Sequence, residues 1–387
     1  MMIKPIVSPE MSEVKQFLTA QLSTDIHSKR IASLSDAVTG VLTSQSLQLS
    51  KIGEGLAEAK GLLPKHAKKQ VDRLLSNDGI DTGVCQHTLA QLLISCRSRI
   101  AVAMDWTVFA KDKQMTLTFR LVTKHGRATP LLWQTVSTVG LKGNKIKYVF
   151  RLFEKLRRIV SSDTQVIVLA DREFGILKNM RMLKETLGFD YILRIKRNFT
   201  VTDSRKEIKK LAHEWLDENT PVCVDDAYIT VQEYKVHKVI ICKEPDMKEM
   251  WCLACSVENI ATKTILKYYG KRWGTETSYR DEKDLQFGFG LKKSRIRNIE
   301  RRDRVLLLSA IAIIFLTLLG AASEAVGFDK YIKANTTTYR THSLFTQGRI
   351  ILRLAPTLRE RWLRPIVTEL MQLYKGLAFI TDEQYVI

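Results

Sequence analysis

Apolar positions recur every three or four residues through about residue 95, the spacing of one helix face. "SKRIASLSDAVTGVLT" and "SLQLSKIGEGLAE" carry this period, and "LPKHAKKQVDRLLSN" sets Pro64 near a helix start, where its missing N–H is not needed. From Arg99 the period drops to two. "IAVAMDWTVF", "QMTLTFRLVTK" and "RATPLLWQTVS" predict three strands of an antiparallel meander. The helical "KIKYVFRLFEKLRRIV" then leads into "TQVIVLADREFG", whose unbroken apolar run from Val166 to Leu169 fits a central parallel strand covered on both faces. A helix in "GILKNMRMLKETLG" and a strand in "YILRIKRN" follow.

Residues 199–258 interrupt this order with charged, strand-rich sequence, read as a small sheet inserted between two halves of the first. Helix resumes at Thr262 and is expected to run unbroken through "YYGKRWGTETSYRDEK"; "SLFTQGRIILRLAP" and "LRPIVTELMQLYKG" add helical patterning near the end. The class is α/β. The run "VLLLSAIAIIFLTLLGAA", Val305 to Ala322, is long enough to cross a bilayer. Ser309, Thr317 and Gly320 interrupt it, and a helix buried on all sides in a large core is the preferred reading.

Charge changes this picture. Sixty-one Lys and Arg against 41 Asp and Glu give the 387-residue chain a net charge of +20, which favours a polyanionic partner, nucleic acid first. Anionic lipid is the lesser alternative, because no basic block adjoins an amphipathic stretch. Six scattered cysteines make no disulfide framework, and "MMIKPIVSPEMSEV" lacks a signal-peptide core, so a reduced, cytoplasmic protein is expected. Cys252 and Cys255 form a CxxC in a strand, where side chains three apart face opposite ways, so a shared metal is not expected. On "LPKHAKKQVDRLLSN", Lys65, Lys68, Lys69 and Arg73 stand beside an apolar stripe and are candidates for contacts with phosphates, a solvated face being the plain alternative.

Three acids carry the candidate chemistry. Asp105 follows "IAVAM" and Asp171 follows "VIVLA", at strand ends where open α/β sheets bind ligands. Either aspartate alone could be a turn or cap residue. On one continuous helix Tyr269, Arg272, Glu276 and Lys283 would fall within an arc of roughly 60°. An ordinary ion pair between Arg272 and Glu276 would leave Tyr269 and Lys283 without a role. Two aspartates and a glutamate offer hard oxygen ligands for two Mg²⁺ ions, an arrangement suited to phosphodiester chemistry, with Tyr269, Arg272 and Lys283 holding adjoining phosphates.

The spacing Tyr269, Arg272, Glu276, Lys283 resembles the YREK signature of insertion-sequence-four family transposases, and the order Asp105, Asp171, Glu276 around a strand-rich insertion resembles that family's DDE domain. "DRE" at Asp171 to Glu173 agrees. The resemblance implies an RNase H-like catalytic core with a strand-rich insertion, preceded by a helical DNA-binding region and followed by a helical tail. It divides the chain into a DNA-binding region at 1–95, the core at 96–198 and 259–345, the insertion at 199–258, and a tail at 346–387 suited to dimerisation. It implies binding of terminal inverted repeats, Mg²⁺-dependent cleavage with Mn²⁺ able to substitute, a hairpin intermediate, joining of 3′ ends to target DNA, and a homodimer on double-stranded DNA without a membrane. A bacterial, nucleoid-associated location goes with it.

By similarity Trp251 matches the tryptophan that stacks on an extruded base; filling the inserted sheet's core is the alternative for it. Arg172, Arg194, Lys196 and Arg197 extend the cationic surface near two strand ends. Two further readings keep the fold: a nuclease that cuts without strand transfer, and an inactive DNA-binding relative.

Overall fold

The computed structural model describes residues 9–376, apart from 95–96, 124–126, 142, 204, 217–219, 244–246, 284–287 and 292–293. Five helices come first: α1 (Pro9–Leu22), α2 (Ser28–Ser44), α3 (Leu49–Lys60), α4 (Pro64–Leu75, with its proline in the first turn) and α5 (Thr82–Ile94). The meander follows as β1 (Arg99–Phe109), β2 (Gln114–Leu121) and β3 (Thr129–Ser137). Then come α6 (Lys145–Ile159), β4 (Gln165–Ala170), α7 (Leu177–Arg181) with one π-helical turn behind it, and β5 (Asp190–Arg194). β4 lies between β1 and β5, parallel to both. Its side chains alternate between two apolar clusters, Val166, Val168 and Ala170 on one face and Ile167 and Leu169 on the other. That two-sided burial is why the strand lacks polar alternation.

The insertion supplies β6 (Thr200–Asp203), β7 (Ile208–Leu211), β8 (Val222–Ile229), β9 (Tyr234–Cys242) and β10 (Trp251–Cys255). It does not form a sheet of its own. β10 pairs with β5, and the order β3-β2-β1-β4-β5-β10-β9-β8-β6-β7 makes one ten-stranded sheet. A strand edge left open at β5 is a row of unpaired backbone groups, and the insertion caps it. Within β10, Cys252 and Cys255 do face opposite clusters.

The remaining helices are α8 (Thr262–Lys271), α9 (Trp273–Lys283), α10 (Ile299–Ala325), α11 (Leu344–Leu354) and α12 (Glu360–Gly376). α10 is the axis of the molecule, with its 18-residue apolar window wholly buried. It packs on α2 and α5, on β3, and on α11 and α12, so every side meets protein and no polar stripe is needed. Its first turns are fastened by arginines. Arg301 pairs with Asp72 (2.6 Å) and Arg304 with Asp78 (2.7 Å) in the helical region, while Arg302 pairs with Asp112 (2.6 Å) beside β2. The N-terminal helices and the sheet thus share one continuous apolar cluster.

Where α10 meets β3, the Asp303 carboxylate accepts the Thr135 N–H (3.1 Å). Desolvation there pushes its carboxyl up to about 7. A carboxyl whose pKa is raised on folding binds more protons folded than unfolded, so stability falls as pH rises from about 4 through about 7. Asp303→Asn keeps an oxygen acceptor for Thr135 and removes the titration. The variant is expected to unfold at higher urea than the parent at pH 8 and to lose most of that advantage at pH 4; an equal difference at both pH values counts against this account.

Candidate active site

β1 and β4 pair in parallel up to Ala103↔Leu169. Asp105 and Asp171 each stand two residues further on, so continuing that register sets the two aspartates side by side on the face of Ala103 and Leu169. Asp171 is just past the carboxyl end of β4, but Asp105 lies within β1, which runs on to Phe109 in its pairing with β2 instead of ending at Asp105 as expected. Both are half-buried. Each is shaped by its own backbone: Asp105 Oδ1 accepts the Trp106 N–H (2.8 Å), and Asp171 Oδ1 accepts the N–H groups of Glu173 (3.1 Å) and Phe174 (3.4 Å), forming the tight turn that ends β4. The turn role and the site role coexist in Asp171. Continuing the β4–β5 register from Ala170↔Leu193 sets Arg194 beside Asp171 in the same row.

α8 covers this face, inserting Ile265, Tyr268 and Tyr269 against Ile192, Leu253 and Cys255. The expected single helix is broken at Arg272, where α8 ends and α9 begins. The break is one residue long, and Arg272 itself keeps helical dihedrals (φ −55°, ψ −30°). Tyr269 is only 1% exposed, its ring edge-on to Trp251 with centroids 4.9 Å apart. Its hydroxyl has no hydrogen-bond partner among the described residues. Burial raises its pKa, and the nearby Arg272 and Arg194 pull it back. Arg272 lies over the same ring, 5.6 Å from its centre, and pairs with Glu276 (3.4 Å). Glu276 is exposed on α9, while the side chains of Lys283 and Trp273 lie outside the described residues.

Trp251 is half-buried at the start of β10, the end nearest the aspartates, and meets Tyr269. It is neither a full core residue nor a bare platform. Among the described residues, no three carboxylate, imidazole or thiol groups are close enough to hold one metal ion together. Two of the three acids are thus brought together, and the third is engaged with Arg272.

Beside the acidic pair lies a groove of about 860 Å³. Arg172, Arg194, Lys196 and Arg197 all line it, joined by Lys243 and Lys248, two cations that the sequence pattern did not single out. Glu249 bridges Arg172 (3.3 Å) and Arg194 (2.8 Å) across it. On α4, Lys65, Lys69 and Arg73 are exposed, but Lys68 turns to Glu54 of α3 (2.9 Å). Its stem is held against Gly53, and its ammonium is shared with Glu54 at the surface.

The sheet thus carries two neighbouring aspartates with a basic groove beside them, side chains of the kind suited to contacts with phosphates. Residues 125–315 match the family model described as a transposase DDE domain. The match contains Asp171 and Glu276 and begins after Asp105. It supports a DDE transposase, a kind of protein that acts on DNA. No curated relative matches the chain.

Proposed function

We propose that the chain is a cut-and-paste DNA transposase of the insertion-sequence-four type, with Asp105, Asp171 and Glu276 as its catalytic acids. The observation that carries the reading is the register of β1 and β4, which, continued by two residues, sets Asp105 beside Asp171, the latter inside the stretch of transposase likeness and the former ahead of it. The order β3-β2-β1-β4-β5, with three antiparallel strands and then parallel ones, fits the RNase H-like core that the resemblance implies.

The donor set suits Mg²⁺, because all three groups are hard oxygen ligands. Asp105 and Asp171 would hold the ions together, and Glu276 would complete the set by giving up Arg272. That exchange costs little: a half-exposed i, i+4 pair contributes only a few tenths of a kcal/mol. Bound Mg²⁺ would supply Lewis-acid polarisation of the phosphodiester. The chain's own residues position the substrate. Arg272, released from Glu276, turns to a phosphate, and Arg172, Arg194, Lys196 and Arg197 hold the strand in the groove. Tyr269, buried as it is, acts by holding Arg272 and Trp251 in place. Trp251 offers an indole face to an extruded base once its edge contact loosens. Lys65, Lys69 and Arg73, with Lys68 beside them in its pair with Glu54, provide a second cationic face for the inverted repeats, and residues 346–387 are the proposed dimer region.

A precleaved inverted-repeat end incubated with plasmid and Mg²⁺ tests the reading. Joined end–plasmid products are expected; cutting without joining would favour the nuclease alternative, and binding without either would favour the inactive relative. Affinity for DNA should also fall steeply with salt, at close to one decade of affinity per decade of salt for each phosphate contact. A flat salt response contradicts the basic groove as a DNA site.

A further inference from the structure

α9 carries Glu276 yet has little apolar surface to hold it, since "WGTETSYRDEK" is polar almost throughout. Three buried polar residues do that work instead. Ser278, Asp281 and Glu282 are each nearly inaccessible. Their spacing of three and four residues puts them on one face. At about 100° per residue, Glu276 points roughly half a turn away from that face.

All three meet one short stretch of the β2–β3 region. Arg120 forms a buried ion pair with Glu282, whose other oxygen accepts from Ser309 of α10 (3.2 Å). Arg127 pairs with Asp281, and the Ala128 N–H donates to Ser278 Oγ (2.8 Å). Arg120 is opposite Ala103 on β1, the same sheet face that carries Asp105. The β2–β3 register shifts between Phe119 and Arg120, a bulge of the kind that re-aims a side chain.

We propose that Arg120 and Arg127 are positioning residues that fix the rotation of α9 about its own axis, and so the direction in which Glu276 projects from it. The inference rests on the catalytic reading of Glu276, but the clamp is physical and measurable without it. Slipping α9 by one residue would swing Glu276 through about 100° from its present direction. A cation buried without its partner is costly, whereas a matched apolar pair can replace a buried ion pair at little cost. The informative variant is therefore the double one, Arg120→Met with Glu282→Met, set beside Arg120→Lys.

The double variant of the full chain is expected to melt close to the parent. Amide exchange across 273–283 should quicken by about 10-fold or more while α10 stays protected. Cleavage turnover of an inverted-repeat substrate should fall by about 100-fold, as for a catalytic group displaced by an ångström, with KM held within about twofold. Arg120→Lys, which keeps a cation for Glu282, should recover part of the turnover. Unchanged exchange in 273–283 overturns the clamp. Faster exchange with unaltered turnover, or equal losses in turnover and affinity, overturns its role in aiming Glu276. If the parent itself cuts no DNA, the transposase reading falls, and the exchange measurement alone decides the clamp.

Discussion

Asp171→Asn is expected to lower DNA end cleavage by at least about 100-fold, roughly 3 kcal/mol of barrier, while DNA affinity stays within about twofold. The asparagine is chosen because its oxygen can still accept the Glu173 and Phe174 N–H groups that form the turn after β4. Only the charge is lost. Asp105→Asn should behave alike, since Asp105 stands beside Asp171 in the strand register and its own backbone bond to Trp106 survives the change. The two losses should combine to less than their product if both groups serve one site. Cleavage and urea midpoints measured together separate chemistry from folding. An Asp171→Asn protein that folds normally and cuts at the parental rate would remove the acid pair from the mechanism.

Gly320→Ala should destabilise the fold by about 2–3 kcal/mol, seen as a lower urea midpoint. On an exposed helix this substitution would stabilise by about 1 kcal/mol, because alanine is the better helix former. The sign is decided by packing. A Cβ at Gly320 would press on the Leu344 carbonyl oxygen of α11, and a Cβ at Gly348 would press on the Leu316 carbonyl oxygen of α10. Each glycine lets the other helix's backbone come close, so Gly348→Ala should cost a similar amount. The contact is with backbone, which cannot swing aside as a side chain would. A midpoint raised or unchanged in Gly320→Ala would show that the two helices are not packed this closely.

These effects also indicate how the site is built. Two of its proposed acids stand two residues beyond the last β1–β4 pair, Ala103↔Leu169, so the strand register sets one against the other. Its third acid lies on a polar helix tied down by Arg120, Arg127 and the Ala128 N–H. Sheet register tolerates little error, because a slip of one residue turns every side chain to the other face. A helix held by ion pairs has fewer restraints, and that is where displacement of the site should begin.

Local pattern was enough to place β1 to β5, the two-sided burial of β4, the return of helix at Thr262 and the buried character of α10. It also put Asp171 at a strand end, because periodicity and chain direction are written in neighbouring residues, but it did not show that β1 continues past Asp105 to Phe109. Arg120, a lone cation in the apolar run "TLTFRLV", was a visible hint of a buried partner, but nothing nearby in the chain named Glu282. Pairing partners are set by contacts between residues far apart in sequence. Only the folded structure could therefore join the insertion to β5 in one sheet, break the signature helix at Arg272, bury Tyr269 beneath Trp251, turn Lys68 to Glu54, and gather Lys243 and Lys248 into the groove. A hydrophobic period tells a segment which side to bury; what it is buried against depends on the whole chain's packing.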